Sequence, residues 1–219
     1  MVHKILLGVT GSVAAVLTGK LVTALREIGE VHVVFTDKGQ WFVNKNEKAE
    51  AEFIEAFPAW EHGPCNDVYT EDDEWPSMYC KDDSVQHIEL REWADILVVA
   101  PLTANTMAKI RYGLCDNLLT SVIRAWDQSK GKIAAPAMNT KMWEHTHTTE
   151  QIAWMKEAKC QNGHYLHGDN WWIAQPQEKK LACGDEGMGA MAPIENIVSL
   201  VTRRLCLEID EATYSDASE

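Results

Sequence analysis

Cys183 stands at the head of "LACGDEGMGAMA", residues 181 to 192, where Gly184, Gly187 and Gly189 fall within six positions. Glycines leave the backbone free to adopt positive φ, at a cost in ordering entropy. Two readings fit the segment: a mobile flap that carries a thiol, or a turn that follows a core cysteine. Near the N-terminus, "GVTGSVAA" brings the backbone N–H groups around Gly8, Gly11 and Ser12 to a helix start, a ready anion site. The spacing is not GxGxxG, and no GxxxxGK[ST] occurs, so a mononucleotide phosphate fits better than a dinucleotide or a P-loop substrate. "APLTANT" places Thr103, Asn105 and Thr106 just beyond an apolar run, and "PAMNT", residues 136 to 140, repeats the arrangement. Each cluster reads as a helix cap, as a ligand edge, or as both. His87 in "SVQHIEL" is either a structural histidine or a base that works near neutral pH. No metal site is expected: His145 and His147 are two apart, and His164 and His167 have no clear third ligand. Without GxSxG, a nucleophile-elbow hydrolase is disfavoured as well.

The elements that must position these residues alternate along the chain. "KILLGV" reads as a strand, and "SVAAVLTGKLVTALREIG" as a helix capped by Ser12 and closed by Gly29. "EVHVVFT" and the almost wholly apolar "ADILVVAP" supply a second and a third strand, the latter of the kind buried on both faces. Beyond Pro101 two helices are expected, broken near Gly113, the second capped by Asp116 or Asn117. "KIAAPAM" is a fourth strand, a helix begins near Thr140, and a last helix has Pro193 at its first position. Such alternation predicts a single-domain α/β fold, a flavodoxin- or Rossmann-like, doubly wound parallel sheet flanked by helices. Residues 1–207 would form this domain and 208–219 an acidic, solvated tail. Two stretches interrupt the pattern, about 39–84 and 161–177. Within the first, residues 58–84 are rich in turn formers and carboxylates, predicting an irregular surface excursion. In the second, "HGDN" reads as a hairpin turn between two aromatic-bearing runs.

Composition narrows the partners. The 219 residues carry 20 basic and 33 acidic side chains, a formal charge of -13, which repels nucleic acid and anionic membranes in the absence of a basic patch. No apolar run approaches the roughly 18 residues of a membrane span, and "MVHKILLGVTGS" lacks the features of a signal peptide, so a cytoplasmic protein is expected. The six cysteines form no CxxC pair, and free thiols are the expectation. The nine tryptophans are assigned to packing.

Taken together, "GVTGSVAA", "HIELREWADILVVAPLTANTMAKIRYGLCDNLLTSVIRAWD", "PAMNTKMWEH" and "LACGDEGMGAMA" resemble the flavin-dependent cysteine decarboxylase family. The resemblance spans most of residues 3–36, 85–158 and 178–205, and its PxMNxxMW and ACGDxGxGxMA motifs are specific. It implies FMN, bound between the subunits of a homotrimer, with the family's cofactor positions falling on Gly11, Ser12, Val13, Thr36, Thr103, Ala104, Asn105, Thr106 and Ala137. It implies that His87 is the active-site histidine, that Asn139, Met142 and Lys180 contact substrate, and that Cys183 is the flap cysteine that delivers a proton late in the cycle.

The implied reaction is decarboxylation of 4'-phosphopantothenoylcysteine to 4'-phosphopantetheine in coenzyme A biosynthesis. Loss of CO2 from an unactivated cysteine carboxylate would strand a carbanion, so an electron sink must come first. In the family's scheme the cysteinyl group is oxidised to a thioaldehyde, CO2 leaves to give an enethiolate, and reduction restores the redox balance. The glycines of the flap would let it close over substrate and exclude water. Two relatives of the same fold remain as alternatives. A phosphatase-inhibiting regulatory subunit is disfavoured by the short tail and by the His87, Asn139 and Cys183 set. A peptidyl-cysteine decarboxylase is disfavoured by the retained cysteine and flap sequence.

Overall fold

Strands that present apolar side chains to both faces must lie inside a layered fold, and the chain builds its centre from them. The computed structural model describes residues 2–62, 65–75, 85–156, 159–161, 164–167, 170–180 and 186–216. From the N-terminus the elements are β1 (His3–Val9), α1 (Thr18–Arg26), β2 (Gly29–Phe35), α2 (Asp37–Asn44), α3 (Glu47–Ala56), β3 (Val68–Tyr69), α4 (Glu71–Glu74) and α5 (Gln86–Trp93). The central strand β4 (Ile96–Leu102) leads into α6 (Ala104–Tyr112) and α7 (Leu118–Ala125), and β5 (Gly131–Pro136) into α8 (Thr140–Trp143) and α9 (Thr146–Lys156). The C-terminal part holds β6 (Lys159–Gln161), β7 (His164–His167), β8 (Trp172–Ile173), β9 (Gln177–Lys180), β10 (Glu186–Ala190) and α10 (Ile194–Asp216).

Six strands form one parallel sheet in the order β3-β2-β1-β4-β5-β8. Every residue of β4 and β5 is buried, as are the last five of β1 and of β2. One apolar layer, with Leu7, Val33, Val98 and Ile133 from the sheet, packs against Leu21, Leu25, Phe53, Ile197 and Val201. The opposite layer, with Leu6, Val34, Leu97 and Val99, packs against Leu90, Met107, Leu118, Val122 and Met155. Each fully buried aliphatic side chain contributes about 1.5–3 kcal/mol. The doubly wound sheet expected from the alternation is therefore present.

Several local expectations are corrected. The stretch after Ser12 opens as a 3-10 turn over Val13–Leu17 before α1, and that helix ends at Arg26 rather than at Gly29. Gly29 starts β2, where a Cβ would lie 2.5 Å from the His3 carbonyl oxygen, so neighbouring-strand approach selects the glycine. The surface excursion expected for 58–84 contains an edge strand of the main sheet, β3, and a helical turn, α4. The antiparallel pair in the second excursion joins β6 to β7, ahead of the expected turn at 167–170, and β8 returns to the main sheet. In the acidic tail the backbone of α10 continues to Asp216. Cys65, Cys115 and Cys206 are free thiols, and no helix among the described residues is long and apolar enough to cross a membrane.

Candidate active site

Four neighbouring strands, β2, β1, β4 and β5, end on the same edge of the sheet, and the residues that follow them line one cavity of about 580 Å³. Thr103, the N-cap of α6, accepts from the Thr106 N–H through Oγ1 at 3.3 Å and donates to the Thr106 hydroxyl at 3.2 Å. Thr10 ties this cap to β1, donating to the Pro101 carbonyl at 2.7 Å and accepting from the Thr103 N–H at 3.0 Å. Thr36 caps α2 in the same way through the Gly39 N–H. The expected cofactor positions Gly11, Ser12, Thr36 and Thr103 through Thr106 all line this cavity, as do Ala137 and the expected substrate contact Met142.

The donor set suits a phosphorylated, anionic group. The first residues of α2 and α6, where helix N–H groups lack intrahelical partners, border the space with threonine and serine hydroxyls and with Lys38 and Lys109, and the carboxylates of Asp37, Glu71 and Asp116 share the wall. Lys109 is held by Asp116, Nζ to Oδ1 at 2.7 Å. A Cβ at Gly11 would stand 2.4 Å from Lys38 Cβ, so glycine keeps this cradle open. The space and its polar lining fit a flavin mononucleotide.

A second cavity of about 430 Å³ shares Ser12, Ala137 and Met138 with the first. Val13 and Asn139 line it, the former half exposed. Asn139 is the N-cap of α8 and accepts from the Lys141 N–H at 2.8 Å. The β9–β10 pair lines it as well, through Gln177, Lys179, Gly189 and Ala190. Met138 N–H donates to the Gly189 carbonyl at 2.9 Å, and Gln177 Nε2 to the Met191 carbonyl at 2.9 Å. Gly187 and Gly189 take φ of 159° and 132°. A Cβ on Gly187 would meet Thr140 Cγ2 at 2.7 Å, and one on Gly189 the Met138 carbonyl oxygen at 2.4 Å. The glycines of the motif thus seat an ordered hairpin stem against the loop that presents Asn139. Lys180 ends β9; Cys183 lies outside the described residues.

His87 lines neither cavity. It is the second residue of α5, where its ring Nδ1 lies 2.5 Å from Glu74 Oε1 and its backbone N–H donates to Glu74 Oε2 at 3.0 Å. The four carboxylates at 71–74, expected within an irregular surface excursion, form a helical turn instead. Asp73 closes a capping box on Thr70, and Glu71 accepts from the Leu118 N–H at the start of α7 at 2.7 Å while lining the first cavity. Sequence reasoning missed Glu71, Lys38 and Met138 as lining residues. The T-x-x-D spacing of Thr70 and Asp73 was the available signal for an ordered turn.

A family model described as Flavoprotein matches residues 2–206. The mouse protein phosphopantothenoylcysteine decarboxylase is 40% identical over 205 residues, covering 90% of this chain and 85% of its own length. Among solved structures, a cysteine-to-serine variant of PPC decarboxylase complexed with pantothenoylaminoethenethiol superimposes with a TM-score of 0.76 at 39% identity, covering 92% of this chain and 97% of the other. The FMN binding protein AtHal3 gives a TM-score of 0.72 at 39% identity, covering 92% and 96%. With the sheet, the phosphate cradle and these likenesses in agreement over nearly the whole chain, it belongs to the flavoprotein family.

Proposed function

We propose that this chain is an FMN-dependent decarboxylase of 4'-phosphopantothenoylcysteine, serving coenzyme A biosynthesis. The observation that carries the reading is the pair of cavities that join at Ser12, Ala137 and Met138, one built for a phosphorylated cofactor and the other presenting Asn139 under the β9–β10 pair. The chain's likeness to PPC decarboxylase and to an FMN-binding protein supports the choice of substrate and cofactor.

The N–H groups that open α2 and α6, with Lys38, line the first cavity and would hold the anionic part of the cofactor. FMN, when bound, would supply a two-electron sink for the carbon that bears the substrate sulfur. His87 accepts the proton that the thiol sheds in that oxidation. Asn139 orients the carboxylate so that its C–C bond breaks with the electron pair flowing into the C=S group, which leaves an enethiolate. Cys183 would protonate the enethiolate carbon, so that the product is a saturated thiol and the overall reaction has no net redox change. Lys180 and Met142 complete the substrate contacts, and the β9–β10 pair excludes water.

A homotrimer with FMN between subunits accounts for the position of His87: a neighbouring copy brings it to the cavities from which it is absent within one chain. The test is to load the chain with FMN, record its flavin absorbance and measure CO2 release from phosphopantothenoylcysteine. Turnover is expected, and a Cys183→Ser chain should release CO2 yet yield an enethiol. A colourless, inert protein overturns the reading, as does turnover of cysteine-ending peptides alone or phosphatase inhibition without turnover. For the shared site, His87→Asn and Asn139→Asp chains, each inactive, are mixed after unfolding. Random reassembly around a threefold ring should restore about a quarter of wild-type activity, and no recovery would exclude sites built from two copies.

A further inference from the structure

We propose that Glu74 is the positioning residue of His87, fixing the proton on Nδ1 and leaving Nε2 to accept. This rests on the reading of His87 as the base given above. Glu74 has only 6% of its side chain exposed, whereas His87 has 24%. Both carboxylate oxygens are committed to the same residue: Oε2 accepts the His87 backbone N–H at 3.0 Å, and Oε1 lies 2.5 Å from Nδ1.

A carboxylate offers acceptors only, so the ring must present Nδ1–H to it. The proton that one imidazole nitrogen carries is set by the hydrogen bond of the other, and Nε2 is therefore the basic atom. The double contact also removes rotation about the ring's side-chain bonds. A buried carboxylate without these donors would be costly, so burial of Glu74 and orientation of His87 require each other. The carboxylate is itself held in place by the ordered turn. The Thr70–Asp73 capping box closes that turn, and Glu71 anchors it to the Leu118 N–H and to Trp75 Nε1 at 3.0 Å.

Glu74→Gln separates this role from mere helix capping. The amide oxygen can still accept the backbone N–H in place of Oε2, but the NH2 then faces Nδ1 and forces the proton onto Nε2, the wrong tautomer for a base. In FMN-loaded enzyme labelled with 15N-histidine, wild type should show the Nδ1–H tautomer at His87 and Glu74→Gln the Nε2–H tautomer. The kcat of the variant should fall by about 10- to 100-fold, with KM within about twofold and flavin absorbance retained. Glu74→Ala provides a second variant, with the same loss of kcat when expressed per flavin-loaded enzyme. If Glu74 only caps α5, thermal stability drops while the tautomer and kcat stay at wild-type values, and the proposal fails. His87→Asn keeps the two readings apart: an active His87→Asn enzyme sinks the role of His87 itself, whereas an inactive one beside fully active Glu74 variants sinks only the role of Glu74.

Discussion

At the scale of single residues, the glycines of the C-terminal motif act through contact as much as through freedom. Gly189 holds φ at 132° and lies so close to the Met138 carbonyl oxygen that a Cβ would stand 2.4 Å away. Gly189→Ala must therefore move β10 or the loop carrying Asn139, at a cost of about 1–3 kcal/mol. Since the cofactor cavity draws mainly on other strand ends, FMN affinity should change little while turnover falls on the order of 10-fold or more, because small misplacements of substrate-orienting groups are severe. Flavin titration beside steady-state kinetics checks this, and wild-type turnover would show that the seat is not needed. Sequence alone revealed the glycines, Asn139 and the threonine clusters, since caps and turns leave short-range signatures. It could not reveal Glu74, because its partner lies 13 residues away and only the fold brings the two together.

Among the elements, α5 shows why a helix can depend on its ends. Leu90 is the one fully buried residue of its eight, with Trp93 packed partly against the same layer, so the ends of the helix matter to holding it. Glu74 caps its N-terminal side, and at the other end Lys130 Nζ donates to the carbonyls of Arg91 at 2.9 Å, Glu92 at 3.3 Å and Ala94 at 2.6 Å. An anion at the start and a cation at the end both complement the helix dipole. Lys130→Met should lower stability by about 1–3 kcal/mol, read as a shifted midpoint in urea; an unchanged midpoint would place the stability of α5 elsewhere. The four long strands and the starts of α6, α7, α8 and α10 were legible because apolar runs and caps are local patterns, whereas those of α2 to α5 and of α9 were not read. The two-residue strands β3 and β8 were not, for each owes its existence to pairing with a longer neighbour. The "EDDE" turn was misread for a related reason: a run of carboxylates reads as irregular surface until the helix N–H groups that donate to Glu71 and Glu74 are in view.

For the whole molecule, the edge where β3 joins β2 contributes to how stability follows pH. His32 on β2 stacks on Trp93 with ring centres 3.6 Å apart and lies 5.6 Å from the Tyr69 ring on β3. Burial holds its pKa below the ordinary value; the carboxylates of Asp67 and Glu30 oppose that shift, and Lys4 and Arg26 reinforce it. A histidine with a lowered folded-state pKa takes up its proton more readily when unfolded. Stability is therefore complete above the unfolded value of about 6.5 and is lost as pH falls from there towards the folded value. Tyr69 works from the alkaline side: burial, then the charges of Asp67, Asp73 and Glu89, push its pKa up to about 12. The unfolded chain loses that phenolic proton first, so stability declines as pH rises from about 10 towards the folded value. His32→Phe keeps a stacking ring and removes the acid-side titration, and Tyr69→Phe removes the alkaline one. Urea unfolding across the two pH ranges should show each variant with a flatter limb than wild type on its own side and an unchanged limb on the other. Equal acid slopes for wild type and His32→Phe would mean that the many carboxylates of this -13 chain govern acid stability instead.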